Sequence, residues 1–266
     1  MSEITGQAPQ QSQQWFEDRA AKITSSGIYS LMGVKTLKPN DKLPTLAKSY
    51  IFQKYAELTT GLVPQIKSWT LEWGKENEPL AKTKMEQMNG VDMWECEYIQ
   101  HKERYYYGGS PDGVLPIEND KKCVEIKCPA STAEQYKNIW AASDAKTMRR
   151  DYPELYWQLQ SNMYLLSEVY KYDITDAIFV SYDKRIRIGN ASYFQSFIKR
   201  NDEDIELMLQ QIDKAWLFYQ QLGFQDDIDV IAYLHPDNVA KRKLQQSEIT
   251  PEDIAAFNDA AGMIRK

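Results

Sequence analysis

Apolar and polar positions along the chain change their period several times, and each change marks an element. The opening is polar and Gln-rich (Gln7 to Gln14), so residues 1–14 are expected to be flexible, with structure beginning near Trp15. A short helix is predicted from about Ser26, a good N-cap, to Gly33, and another from about Leu43 to Leu58. Between Gln65 and Asn89 the period is helical, with Trp69 and Trp73 one turn apart. Pro79 must either kink that helix or begin a new one with Asn77 as its cap. From Asp92 to Lys127 the period shortens: "VDMWECEYI", "RYYYGG", "DGVLPI" and "KCVEIKC" are short, aromatic and β-branched, and separated by turn residues, so they read as strands.

Helical spacing then returns. One helix is predicted over about Ala133 to Ala142 and a longer one from Pro153 to Tyr170, with Leu155, Leu159, Met163 and Leu166 on its buried stripe. "ITDAIFVSYD" reads as an apolar central strand, "KRIRIG" as the start of its partner, and Asp202 to Leu222 as a long amphipathic helix. This order describes an α/β fold: a mixed sheet with helices on both sides. Residues 15–225 would form the main domain and 226–266 a helical C-terminal extension. In that extension Ser247 and Glu252 frame a helix start that could pack or dock.

Composition narrows the class without deciding it. The chain has 266 residues, 42% hydrophobic and 26% charged, enough for one large globular domain. No apolar run is long enough to span a membrane and no secretory pattern opens the chain, so a cytoplasmic protein is expected. The three cysteines (Cys96, Cys123, Cys128) have no zinc-type spacing and read as buried thiols, and His101 and His235 make no metal pair. The net charge of −6 argues against a broadly basic nucleic-acid surface. Local cations in "KTMRRD" (Lys146, Arg149, Arg150) and "DKRIR" (Lys184, Arg185, Arg187) could still follow a phosphate backbone, or be solvated surface turns.

The chemistry concentrates between Gly108 and Lys127. In a strand, Glu125 and Lys127 share a face while Val124 and Ile126 point the other way, and a hairpin returning from Asp112 can lay its carboxylate beside Glu125. Two such carboxylates repel, and a hard divalent cation with oxygen ligands, Mg²⁺ or Mn²⁺, relieves the repulsion. Such an ion activates water and polarises a phosphoryl oxygen, and Lys127 can stabilise the developing charge, which is the chemistry of phosphodiester hydrolysis. The alternative is structural: Asp112 capping a Pro-Asp-Gly turn and Glu125 paired with Lys127 or Lys122.

"SPDG" followed by "VEIKCP" resembles the active-site pattern of the PD-(D/E)xK nucleases, in particular the phage lambda exonuclease and viral recombinase family. "WFEDRAAKITSSG", "WTLEWGKENEPLA" and "YWQLQSNMYL" resemble three further motifs of that family, and all four stand in family order over about Trp15 to Asp183. The resemblance implies a restriction-endonuclease-like core, with Asp112, Glu125, the main-chain carbonyl of Ile126 and Glu78 holding the metal, and Lys127 as the catalytic lysine. It places a glutamine near the metal, Gln160 with Gln158 as the alternative, and makes Arg19, Thr24, Ser26 and Ser110 the receptor of a 5′-phosphate. Arg19 could instead pair with Glu17 or Asp18, and Ser26 could be a plain N-cap. The implied activity is 5′-to-3′ degradation of one strand from double-stranded DNA ends. The resemblance also implies a homotrimeric ring, a single-strand annealing protein as partner, and a phage or prophage origin in a bacterial host.

Overall fold

The structure, a computed structural model, describes Gln10 and residues 12–33, 42–63, 68–117 and 120–238. The expected loose residues 1–9 and 11, the predicted helix start at Gln65, and the extension from 239 onward with Ser247 and Glu252 lie outside the described residues.

Ser12 accepts the Trp15 N–H and starts α1 (Gln13–Arg19). After Ala21, in the left-handed region at φ 58°, come β1 (Ile23–Thr24), a 3-10 turn (Ser25–Gly27) and α2 (Ile28–Met32). The expectation that Ser26 caps this helix is corrected. Thr24 precedes the 3-10 turn, no side chain caps either element, and the Ser26 hydroxyl turns elsewhere. α3 spans Thr45–Thr60.

α4 (Trp69–Asn89) is one continuous helix, capped by Ser68, which accepts the Leu71 N–H. Pro79 sits inside it rather than at a new start, and Asn77 is no cap, since its amide donates to Trp73 O at 2.7 Å. The proline is tolerated because it lies on an exposed face, where water can serve the carbonyl one turn earlier.

Next come β2 (Trp94–Glu95), β3 (Ile99–Gln100), β4 (Tyr107–Gly109), β5 (Gly113–Ile117) and β6 (Asp120–Lys127). α5 (Thr132–Ala141), α6 (Ala145–Asp151) and α7 (Pro153–Tyr170) follow, then β7 (Asp176–Tyr182), β8 (Tyr193–Lys199), α8 (Asp202–Gln225) and α9 (Val230–Leu234). "KTMRRD" is therefore a helix, not a surface turn: Asp144 caps it through the Thr147 N–H and Met148 buries its underside. "KRIRIG" is a loop, and the partner of β7 begins only at Tyr193.

The main sheet runs β2-β5-β6-β7-β8, with β6 and β7 parallel and the other pairs antiparallel. A smaller sheet, β1-β4-β3, abuts it. Both faces of β6 and β7 are covered. Val124, Ile126, Ile178 and Val180 pack with Ala81 and Met85 of α4. Cys123, Ala177 and Phe179 pack with Leu155, Leu159 and Met163 of α7. Strict alternation then aims Glu125 and Lys127 to the α7 side, at the end of the strand.

Pro79 gives a direct test of the helix reading. Pro79→Ala restores a helical N–H without touching the core, and is expected to raise the unfolding free energy in urea by about 1–3 kcal/mol. A fall in stability would mean that the proline fits a local distortion that the helix needs.

Candidate active site

Glu125 is only 1% exposed, so its carboxylate must be partnered within the protein. Lys127 Nζ donates to Oε1 at 2.6 Å, Gln158 Nε2 donates to the same oxygen at 2.6 Å, and Asn162 Nδ2 donates to Oε2 at 3.3 Å. Gln158 and Asn162 lie one turn apart on α7 and so reach the strand together. Asp112, in the turn before β5, accepts the Ile126 N–H at 2.6 Å, which ties it across the hairpin to β6.

The charges in this cluster oppose and support one another. Burial, then the field of Glu125, pushes the Asp112 carboxyl well above the ordinary aspartate value, with Lys127 and the Ile126 N–H opposing. Glu78 on α4 is raised by burial and by Glu125, and lowered in part by Lys127, so it senses the same charges. Burial works against the Lys127 ammonium, but Glu125 and Asp112 outweigh it and lift its pKa above that of an ordinary lysine. Lys127 is thus a fixed cation beside acids that resist ionising together.

A second constellation adjoins this one. Arg19, at the end of α1, lies over the Trp15 ring at 4.1 Å and donates to Ser110 Oγ at 2.9 Å and Ser26 Oγ at 3.4 Å. Trp15 Nε1 also donates to Ser110 Oγ, at 3.0 Å, and the Thr24 and Ser26 hydroxyls are 3.3 Å apart. Burial lowers the Arg19 pKa, opposed by the fields of Tyr98, Tyr50, Glu57 and, more weakly, Glu125. The alternative of a pairing with Glu17 or Asp18 is not what the structure shows: Gln13 bonds Glu17 and Gln14 bonds Asp18, while Arg19 turns to the hydroxyls. All four predicted receptor residues therefore meet, and Ser110 stands two positions before Asp112.

The remaining candidates lie elsewhere. Gln160 donates to Lys199 O at 2.9 Å and accepts the Asn201 N–H at 2.8 Å, so it ties α7 to the junction of β8 and α8. The glutamine that touches the acids is Gln158. Arg149 pairs with Asp204 at 2.8 Å and lies 5.5 Å over the Trp157 ring, and Arg150 forks onto Asp151 at 2.6 and 2.7 Å. Their guanidinium groups are engaged within the chain. The reading from residue types missed Asn162, whose one signal was its four-residue spacing from Gln158.

Asp112, Glu125 and Glu78 form the oxygen-rich, mutually repelling donor set that a hard cation favours. Among the described residues no three acids, histidines or cysteines are grouped closely enough to hold an ion as they stand. Both Glu125 oxygens accept hydrogen bonds from neighbouring side chains, Oε1 from Lys127 and Gln158 and Oε2 from Asn162. The donor types fit a divalent cation, provided Lys127 gives way.

Residues 14–169 match the YqaJ-like viral recombinase domain. The chain belongs to this family. Among solved structures, an alkaline exonuclease (LHK-Exo) from Laribacter hongkongensis is similar, with a TM-score of 0.63 and 24% identity over 79% of this chain and 93% of that one. LHK-Exo in complex with dAMP gives a TM-score of 0.64 at 24% identity, covering 81% and 98%. A phage related exonuclease from Haemophilus somnus 129PT gives 0.59 at 17% identity, covering 77% and 96%. These likenesses are of fold, and they agree with the mixed sheet flanked by helices expected from the sequence. No curated protein matches. Among the described residues no helix is long and apolar enough to cross a membrane.

The opposed acids make a stability prediction. A carboxyl raised in the folded state contributes stability below the ordinary aspartate range, and that stability is lost as pH rises through the raised value. Asp112→Asn removes the penalty while keeping an acceptor for the Ile126 N–H. Without divalent cations, the variant should therefore melt about 3 °C or more above the parent chain at pH 8, with a smaller difference at pH 5. Equal melting temperatures at both values would show that Asp112 carries no electrostatic penalty.

Proposed function

We propose that this chain is a metal-dependent exonuclease that degrades one strand of linear double-stranded DNA from its 5′ end and leaves 3′ single-stranded tails. One observation carries the reading: the Arg19–Ser110–Ser26 constellation and the Asp112–Glu125–Lys127 cluster are joined through the two-residue step from Ser110 to Asp112. A receptor for a terminal phosphate beside a hydrolytic cluster is what end-dependent cleavage requires. The family match and the fold shared with two exonucleases support it.

In this account the forked Arg19 guanidinium and the Ser26, Thr24 and Ser110 hydroxyls hold the 5′-phosphate. Lys127, kept cationic by Glu125 and Asp112, stabilises the negative charge that develops on the phosphoryl group. Gln158 and Asn162 fix the Glu125 carboxylate. Asp112, Glu125, the Ile126 carbonyl and Glu78 would hold Mg²⁺ or Mn²⁺, which supplies Lewis acidity and a lowered water pKa when bound. A homotrimeric ring and delivery of the tail to a single-strand annealing protein rest on the family resemblance alone.

The test is digestion of linear duplex labelled separately at each end, with 5′-phosphate or 5′-hydroxyl termini. The 5′ label should be released first, phosphorylated ends should be cut faster by about one to two orders of magnitude, and closed circles should survive. Arg19→Ala should erase the preference between ends, and Lys127→Ala should abolish hydrolysis with the fold intact. Equal rates on both ends would remove the phosphate receptor, and cutting of circles would make the chain an endonuclease.

A further inference from the structure

Beyond the acids, α4 begins with a pair of indoles that neither the core nor the site uses. Trp69 is 62% exposed, and its ring lies 5.8 Å from that of Trp73 at 38°. The inner ring is covered by cations: Arg185 at 4.3 Å and Lys184 at 5.0 Å. The outer ring is open. Arg185 also forks onto Asp183 and donates to Pro129 O at 3.1 Å and Ala130 O at 2.8 Å, so its loop is locked to the residues that follow Lys127. Lys184 is exposed and has no carboxylate partner among the described residues. At 3.6 residues per turn Trp69 lies about half a turn round α4 from Glu78, so the indole pair reaches the site through Arg185, which covers Trp73 and holds the Pro129 and Ala130 carbonyls just after Lys127.

We propose that Trp69, backed by Trp73 with Lys184 over the inner ring, is a stacking site for an unpaired DNA strand beside the loop that Arg185 ties to the residues after Lys127. This rests on the exonuclease reading and adds to it a place for single-stranded DNA. An indole face in water is a cost unless something covers it, and every base offers a π-face that can do so. Duplex DNA hides those faces within its own stack, whereas each cut made by the proposed reaction unpairs another nucleotide. On a chain of net charge −6, the exposed Lys184 ammonium over the neighbouring Trp73 ring supplies the local attraction for phosphate that the whole protein lacks.

Fluorescein-labelled oligo(dT) of 20 nucleotides, titrated with the full chain in EDTA and followed by anisotropy, tests the proposal, with a hairpin-closed duplex as control. Trp69→Ala should weaken oligo(dT) binding about tenfold or more and hairpin binding little, while Trp69→Phe restores most of the loss. Lys184→Ala should reduce the slope of log affinity against log salt by about 0.7. Trp69 is exposed at the first helical position, so these changes leave folding intact. Unchanged oligo(dT) affinity in Trp69→Ala overturns the proposal. So does a change in sedimentation mass with oligo(dT) binding intact, which would place Trp69 between copies of the chain. Digestion of linear duplex in Mg²⁺, run in parallel, separates the two readings. Digestion with Trp69-independent oligo(dT) binding removes the stacking site alone, and Trp69-dependent binding without digestion removes the exonuclease.

Discussion

A carboxylate shut inside the protein needs partners, and Glu125 is the constraint around which the rest of the site is arranged. Its strand, β6, is the middle strand of the main sheet, paired on both sides by antiparallel β5 and parallel β7. The face it shares with Lys127 is the face that α7 covers, so its remaining partners must come from that helix, and they do, as Gln158 and Asn162. A side chain that would be ruinous in an apolar core is thereby held in one orientation, with its charge balanced by an ammonium two residues on.

The same helix links the acids to the Arg19 cluster. Ser161, next to Asn162, donates to Ser25 Oγ at 2.8 Å and shares a 2.5 Å contact with the Tyr107 hydroxyl. Gly109 runs between these groups, where a Cβ would come within 2.0 Å of Ser25 Oγ and 2.7 Å of Asn162 Oδ1. No larger residue fits. β4 therefore passes close under α7 and delivers Ser110 to Arg19 and Asp112 to β6 within four residues. Thr24 of the smaller sheet and Glu125 of the larger one thus stand on either side of the step from Gly109 to Asp112.

Much of this was legible from the residues because the strands and α7 declare their periods, and because Asp112, Glu125 and Lys127 come from one hairpin whose pleat fixes their faces. The identity of the site glutamine was not. α7 buries ten residues on all sides, so no polar stripe marks which face meets β6, and Gln158 and Gln160 each have a partner four positions on. β8 was misplaced because an edge strand, half covered, lacks the alternation of a buried one. α6 read either as a strip along a phosphate backbone or as a surface turn because Asp204, the partner of Arg149, comes from distant α8 and no local signal announces it, although Asp151 stands next to Arg150. The continuous course of α4 through Pro79 depends on exposure of that face, which is a tertiary fact.

The account stands or falls on whether the opposed acids exist to hold a divalent cation. Calorimetric titration of Mg²⁺ into the chain at pH 7, in buffers of different ionisation enthalpy, measures this directly. Binding should weaken and release more protons as the pH is lowered from 7, because Asp112, whose carboxyl is raised by burial and Glu125, must be ionised to be a ligand, and the binding heat should be lost in Asp112→Ala and Glu125→Ala. Mg²⁺ affinity unchanged in both variants would contradict the account and leave a turn aspartate beside a structural Glu125–Lys127 pair.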